Sequence, residues 1–235
     1  MAEAAGAQPA IDRWAHEAAI HDAAGDYAWL AERLPGTRVI EIGCGSGHAS
    51  VAMLAREVEL LVIEPLAACR QMLAERLAAA AIDGGRVRIL DASADSLDSS
   101  AREALAAFAP DCIVCWLAGG SAEQLAQAGA SAATDPVKAF REHLHRQLAE
   151  LAAALPSVRA VHLADRTAFP WQIKDTARDT LVSYHRASGF KDLPFTISRD
   201  DALFRRLDVN RWSPELRRRG GPSPVLGSLI ARRSA

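Results

Sequence analysis

Hydrophobic and polar positions along this chain follow two periods. Short apolar runs, RVIEI (38–42), ELLVIE (59–64), RVRILD (86–91), DCIVCWL (111–117) and VRAVHLAD (158–165), read as strands buried on both faces. Helical stretches separate them: 48–57, 66–80, a weaker one over 96–107, and a short helix within the alanine-, glycine- and serine-rich connection 118–135. Strands that alternate with helices predict a parallel sheet with crossover connections. A longer helix opens at Pro136 behind Asp135 as N-cap, and Phe140, Leu144, Leu148, Leu151 and Leu155 mark its apolar stripe. His143 and His145 fall beside that stripe and are expected on the surface, whereas His162 lies inside its strand and is expected in the core. The last third changes character. A helix over 173–188, stopped by Gly189, precedes two β-like runs, 202–209 and 225–231, joined by a turn-rich loop. The expected fold is α/β, a seven-stranded sheet of five parallel strands plus a C-terminal β-hairpin, with residues 1–35 as an N-terminal helical cap.

Composition narrows the class. Half of the 235 residues are hydrophobic and 24% are charged, the balance of a globular chain with one core. No run reaches the roughly 18 apolar residues of a membrane span, and the start MAEAAGAQPA lacks a secretory pattern, so a cytoplasmic location without a membrane partner is expected. The four cysteines are too scattered for a disulfide framework. Cys112 and Cys115 form a C-x-x-C, but residues three apart on a strand point to opposite faces, so no metal site is expected there. A net charge of −2 argues against nucleic acid as the obvious partner, and the arginine excess of the C-terminal segment, with Arg217, Arg218 and Arg219, reads as a solvated loop.

The chemistry concentrates at RVIEIGCGSG (38–47). A glycine turn after a strand and before a helix lets backbone approach a ligand and aims helix-start N–H groups at it. The dinucleotide spacing G-x-G-x-x-G fails, because His48 or Ser50 stands where its last small residue belongs. An acidic residue followed by x-G-x-G-x-G, here Glu41, Gly43, Gly45 and Gly47, resembles the first motif of the class I S-adenosylmethionine methyltransferases. The resemblance implies a three-layer Rossmann-like fold, S-adenosylmethionine as cofactor and S-adenosylhomocysteine as product. It also implies roles: Glu41, Gly43, Cys44, Gly45 and Gly47 around the methionine part, Glu64 on the ribose hydroxyls, Pro65 and Leu66 on the adenine, and Asp91 with Ala92 on the adenine amino edge. Cys115 and Trp116, at the end of the fourth strand, complete the cofactor-binding set, and Trp116 is placed to wall the methyl site. Three acids at the ends of three successive strands support this, since open α/β sheets bind ligands at that edge.

The residues 115–120, CWLAGG, lack the Asn/Asp-Pro-Pro-aromatic pattern of base-amino methyltransferases, which argues against DNA. The expected reaction is methyl transfer to an oxygen or nitrogen of a small organic acceptor, in secondary metabolism. The alternatives are a protein or RNA acceptor, or a cofactor-binding regulator without turnover. Candidate proton acceptors are Asp165 closing the fifth strand and His21 or Tyr27 from the cap. One domain is expected, with 1–35 as cap, 36–165 as cofactor core and 166–235 facing substrate with the hairpin; a homodimer is the assembly considered.

Overall fold

A computed structural model describes residues 2–208 and 222–234, and the side chains of 2–7, 122, 123, 127 and 131 fall outside that description. Arg217, Arg218 and Arg219 therefore lie outside the described residues. Strands β1 (Arg38–Ile42), β2 (Glu59–Ile63), β3 (Val87–Leu90), β4 (Cys112–Trp116) and β5 (Ala160–Phe169) run parallel, and β6 (Phe195–Arg206) and β7 (Ser223–Arg233) complete the sheet antiparallel. The order is β3-β2-β1-β4-β5-β7-β6. The chain leaves β1 toward β2 on one side and reaches β4 on the other, so the strand order reverses at the end of β1. In an open α/β sheet that reversal opens a crevice at the carboxyl ends of the strands.

Helices α1 (Ala2–Ala23) and α2 (Asp26–Ala31) form the cap, followed in chain order by α3 (His48–Leu54), α4 (Ala67–Ala79), α5 (Ser99–Phe108), α6 (Ala122–Gln127), α7 (Pro136–Ala154) and α8 (Lys174–Ala187). Their apolar faces bury the sheet on both sides. One core gathers Ile40, Leu61, Ile113, Leu148 and Val161, and the other Val39, Leu60, Met53, Leu73 and Val114. Cys112 and Cys115 belong to opposite cores, as strand alternation requires. No helix among the described residues is long and apolar enough to cross a membrane.

The expected five parallel strands and antiparallel C-terminal pair are present, with informative differences at the ends. Helix α3 stops at Leu54, three residues before the expected end, and Glu57 adopts a left-handed φ of 60°. Helix α5 starts at Ser99 because the Asp98 carboxylate accepts from Ala101 N at 2.7 Å, a side-chain cap stronger than the hydrophobic onset suggested. Strand β5 runs four residues past its expected end, since β7 pairs with it as far as Phe169↔Ser223. Strand β6 begins at Phe195, earlier than the expected 202, and its register breaks between Ile197 and Ala202 across polar residues. In α7 the surface expectation for His145 is corrected: it is buried with Leu148, Ala149 and Ala152 because α8 packs beside it, while His143 is exposed. His162 is fully buried, with Nε2 2.8 Å from Ser228 Oγ.

Candidate functional site

The glycine turn follows β1 directly, and Gly43, Gly45 and Gly47 all lie at left-handed φ of 77°, 49° and 78°. Glycine adopts this region without steric cost. Their surroundings separate their roles. A Cβ on Gly43 or Gly45 would meet nothing within 4 Å, so both face open space, whereas one on Gly47 would stand 3.0 Å from Leu73 Cα and 2.9 Å from its Cδ1. Gly47 thus allows α3 and α4 to pack closely, behind the cleft that Gly43 and Gly45 line.

Glu64 lies at the end of β2 on the wall of the same cleft, only 4% exposed. Its Oε1 accepts from Leu66 N at 2.9 Å, and the Cys44 thiol stands 3.8 Å from Oε2. Burial pushes the carboxyl above its ordinary range, with these donors opposing. Pro65, Leu66 and Cys44 line the cleft beside it. Glu41 does not reach the cleft. It is buried behind the turn, accepting from Ser50 Oγ at 2.6 Å, and burial, aided by the Glu64 charge, raises its pKa to about 8.

Not every residue named from the sequence meets here. Asp91 turns away to a bidentate pair with Arg70 at 2.7 and 2.6 Å and is 70% exposed; neither it nor Ala92 lines the cleft. The wall past β3 is made by Ser93, Ala94 and Asp95, so Asp95 holds the cleft-facing position that sequence reading gave to Asp91. Its only signal was a second acid in DASAD. Cys115 points into the opposite core, while Trp116 lines the cleft with its ring edge-on to His162 at 5.1 Å.

His21 and Tyr27 line the cleft from the cap. His21 Nδ1 is 2.8 Å from Asp26 Oδ2, and Arg205 reaches the other Asp26 oxygen at 2.9 Å. Burial first, then the Glu41 charge, raises the Tyr27 phenol well above its ordinary value, so it keeps its proton. Asp165 faces away from the cleft toward α7, 3.4 Å from Arg141 Nε and 3.5 Å from His145 Nε2, and burial raises its pKa to about 6 against the Arg141 charge. Sequence reading passed over Glu17, Phe140 and Arg166 as site residues. Phe140 lines the cleft, as do Glu17 and Arg166, which form an ion pair at 2.7 Å between α1 and β5. Trp14 packs so tightly on Gly119 that a Cβ there would be 2.5 Å from its Nε1. Such tertiary contacts carry no local pattern.

No protein-family model matches the sequence, and no curated protein matches it either. Among solved structures, a candidate RNA methyltransferase from Pyrococcus horikoshii superimposes with a TM-score of 0.50 at 13% identity, covering 91% of this chain and 84% of that one. A candidate tRNA (m1A22) methyltransferase of Streptococcus pneumoniae also gives 0.50, at 12% identity, over 88% of this chain and 68% of the other. The fold is that of the class I methyltransferases. A further structure of this fold, M. jannaschii TYW2 in complex with AdoMet, gives 0.49 at 11% identity over 88% and 74%. The expectation of a small organic acceptor is corrected by the first two of these structures, which are described as RNA and tRNA methyltransferases. The exclusion of nucleic acid from net charge falls with it, because a total of −2 over the chain says nothing about the charge around one cleft.

Proposed function

We propose that this chain is an S-adenosylmethionine-dependent methyltransferase whose acceptor is a nucleotide of RNA. The observation that carries the cofactor is the pairing of a buried carboxylate, Glu64, with two open left-handed glycines, Gly43 and Gly45, on one wall. The donors Glu64 now accepts are neutral, a backbone N–H and a thiol, and a pair of ribose hydroxyls continues that set, since a carboxylate has lone pairs for several donors. Pro65, Leu66 and Ala94 offer an apolar slot to the adenine, and Asp95 an acceptor for its amino group. The cofactor supplies an electrophilic methyl on a sulfonium.

The chain's own residues orient the acceptor and exclude water. The lining of the cleft runs past the residues assigned to the cofactor to Trp14, Phe140 and Leu144. Trp14, Trp116 and Phe140 all line the cleft, and aromatic rings suit a planar base turned out of its stack. Among the proton acceptors considered, we retain His21, because the Asp26 carboxylate at Nδ1 orients the ring. The RNA acceptor is supported by the descriptions of the fold's solved relatives. The test is transfer of labelled methyl from S-adenosylmethionine to total cellular RNA. Parent protein is expected to label RNA and Glu64→Ala to fail at the same cofactor concentration; labelled protein with unlabelled RNA would reject the acceptor.

A further inference from the structure

Strand β4 ends at Trp116, paired with Ala164, but β5 continues for five more residues with β7 alone beside it. Strand β7 in turn pairs Leu226 and Val225 with Arg205 and Arg206 of β6. The result is a three-stranded antiparallel flap that stands roughly 16 Å beyond the carboxyl edge of the parallel strands at about 3.3 Å per residue. The flap borders the cleft, since Arg166 belongs to both. Over 165–169, 205–206 and 223–226 it carries Arg166, Arg205 and Arg206 and one carboxylate, Asp165, which faces Arg141 of α7.

These arginines are not equivalent. Arg166 is paired with Glu17 and Arg205 with Asp26, which fixes the cap to one face of the flap. Arg206, one residue on and so on the opposite face, is exposed and carries no ion pair among the described residues. Its guanidinium lies over the half-buried Trp171 ring, 5.5 Å from the centroid. Phe169 and Phe204, edge to face at 4.8 Å, share that side. A protein gains little from leaving an indole and an unpaired guanidinium together in water. An unpaired nucleic-acid strand uses both at once, because bases stack on aromatic and guanidinium planes and phosphates take the charge.

We propose that this flap is the surface on which an unpaired segment of RNA docks, with the Trp171 ring as a base-stacking platform and Arg206 as its cationic contact. The inference rests on the RNA reading above and gives that reading a binding surface separate from the cofactor slot.

The test measures binding of a fluorescein-labelled oligouridylate by anisotropy to the full chain, beside calorimetry with S-adenosylhomocysteine and labelled methyl transfer to total RNA. Trp171→Ala and Arg206→Gln are each expected to weaken the oligonucleotide tenfold or more and to leave S-adenosylhomocysteine affinity unchanged. Trp171→Phe should recover most of the loss, and Arg206→Gln should lower the slope of log affinity against log salt by about 1. Parental oligonucleotide affinity in both variants would overturn the proposal. So would equal displacement by polyglutamate, which would make the flap a dock for acidic protein. Methyl transfer to RNA with both variants binding as parent rejects the flap and keeps the acceptor; weakened binding without any transfer keeps the flap and rejects the acceptor.

Discussion

Two glycines of one turn make opposite demands on a methyl group. Gly47→Ala combines a φ of 78° with a clash against the Leu73 backbone, so it should destabilise the fold by about 2 kcal/mol or more, a drop of roughly 4 to 8 °C in thermal midpoint. Gly45→Ala meets open space, so its cost should be near 1 kcal/mol of backbone strain, with the larger effect on cofactor affinity. Thermal unfolding with and without S-adenosylhomocysteine separates the two. Glu41 adds a pH signature. Its folded pKa of about 8 lies above the ordinary 4.5, so the native state binds more protons than the unfolded one between these values. The stability this gives is complete below pH 4.5 and is lost as pH rises through 8. Glu41→Gln should therefore gain on the parent as pH is raised across that window, in paired thermal melts. Glu64 was legible in the sequence because a strand end after a glycine turn is a fixed address. Asp95 was not, because which acid of DASAD faces the cleft depends on Arg70 capturing Asp91.

Between elements, the layer of α7, β5 and α8 holds polar groups that the sequence did not announce. His145 and His185 have their rings 5.7 Å apart, and burial lowers both to about 4. The unfolded chain therefore binds more protons between about 4 and 6.5, and this layer loses stability as pH falls across that window. Asp165, raised to about 6, acts in the opposite sense over a similar range, as does Glu41, so the contribution of the histidines is read from a variant against the parent. His145→Gln should cost stability at pH 7 and should close most of the gap to the parent at pH 4.5. A midpoint gap unchanged with pH would place the charge sensitivity elsewhere. The burial of His145 escaped sequence reading for a physical reason: the helical stripe predicts the face turned to the sheet, and the second face of α7, under α8, has no periodic signature of its own.

For the molecule as a whole, alternation of strands and helices was enough to read the α/β class, the parallel strands and the terminal hairpin. The flap was not legible, because the extra residues of β5 are fixed by pairing with β7 and their own apolar pattern is weak. The acceptor was misread from an average. A net charge of −2 conceals a flap whose three arginines, Arg166, Arg205 and Arg206, outnumber its one carboxylate, Asp165. The cap closes that cleft through Glu17 with Arg166 and Trp14 against Gly119. Arg166→Ala is accordingly expected to raise the KM for RNA in the labelled-methyl assay more than it lowers kcat. The claim on which the rest depends is that Glu64 and the open glycines hold S-adenosylmethionine, and calorimetry with S-adenosylhomocysteine tests it most directly. Parent protein should bind one equivalent, and Glu64→Ala should bind at least tenfold more weakly, about 1.4 kcal/mol, with an unchanged thermal midpoint in the absence of ligand. Equal affinity in parent and Glu64→Ala, or no binding by the folded parent, would contradict the account.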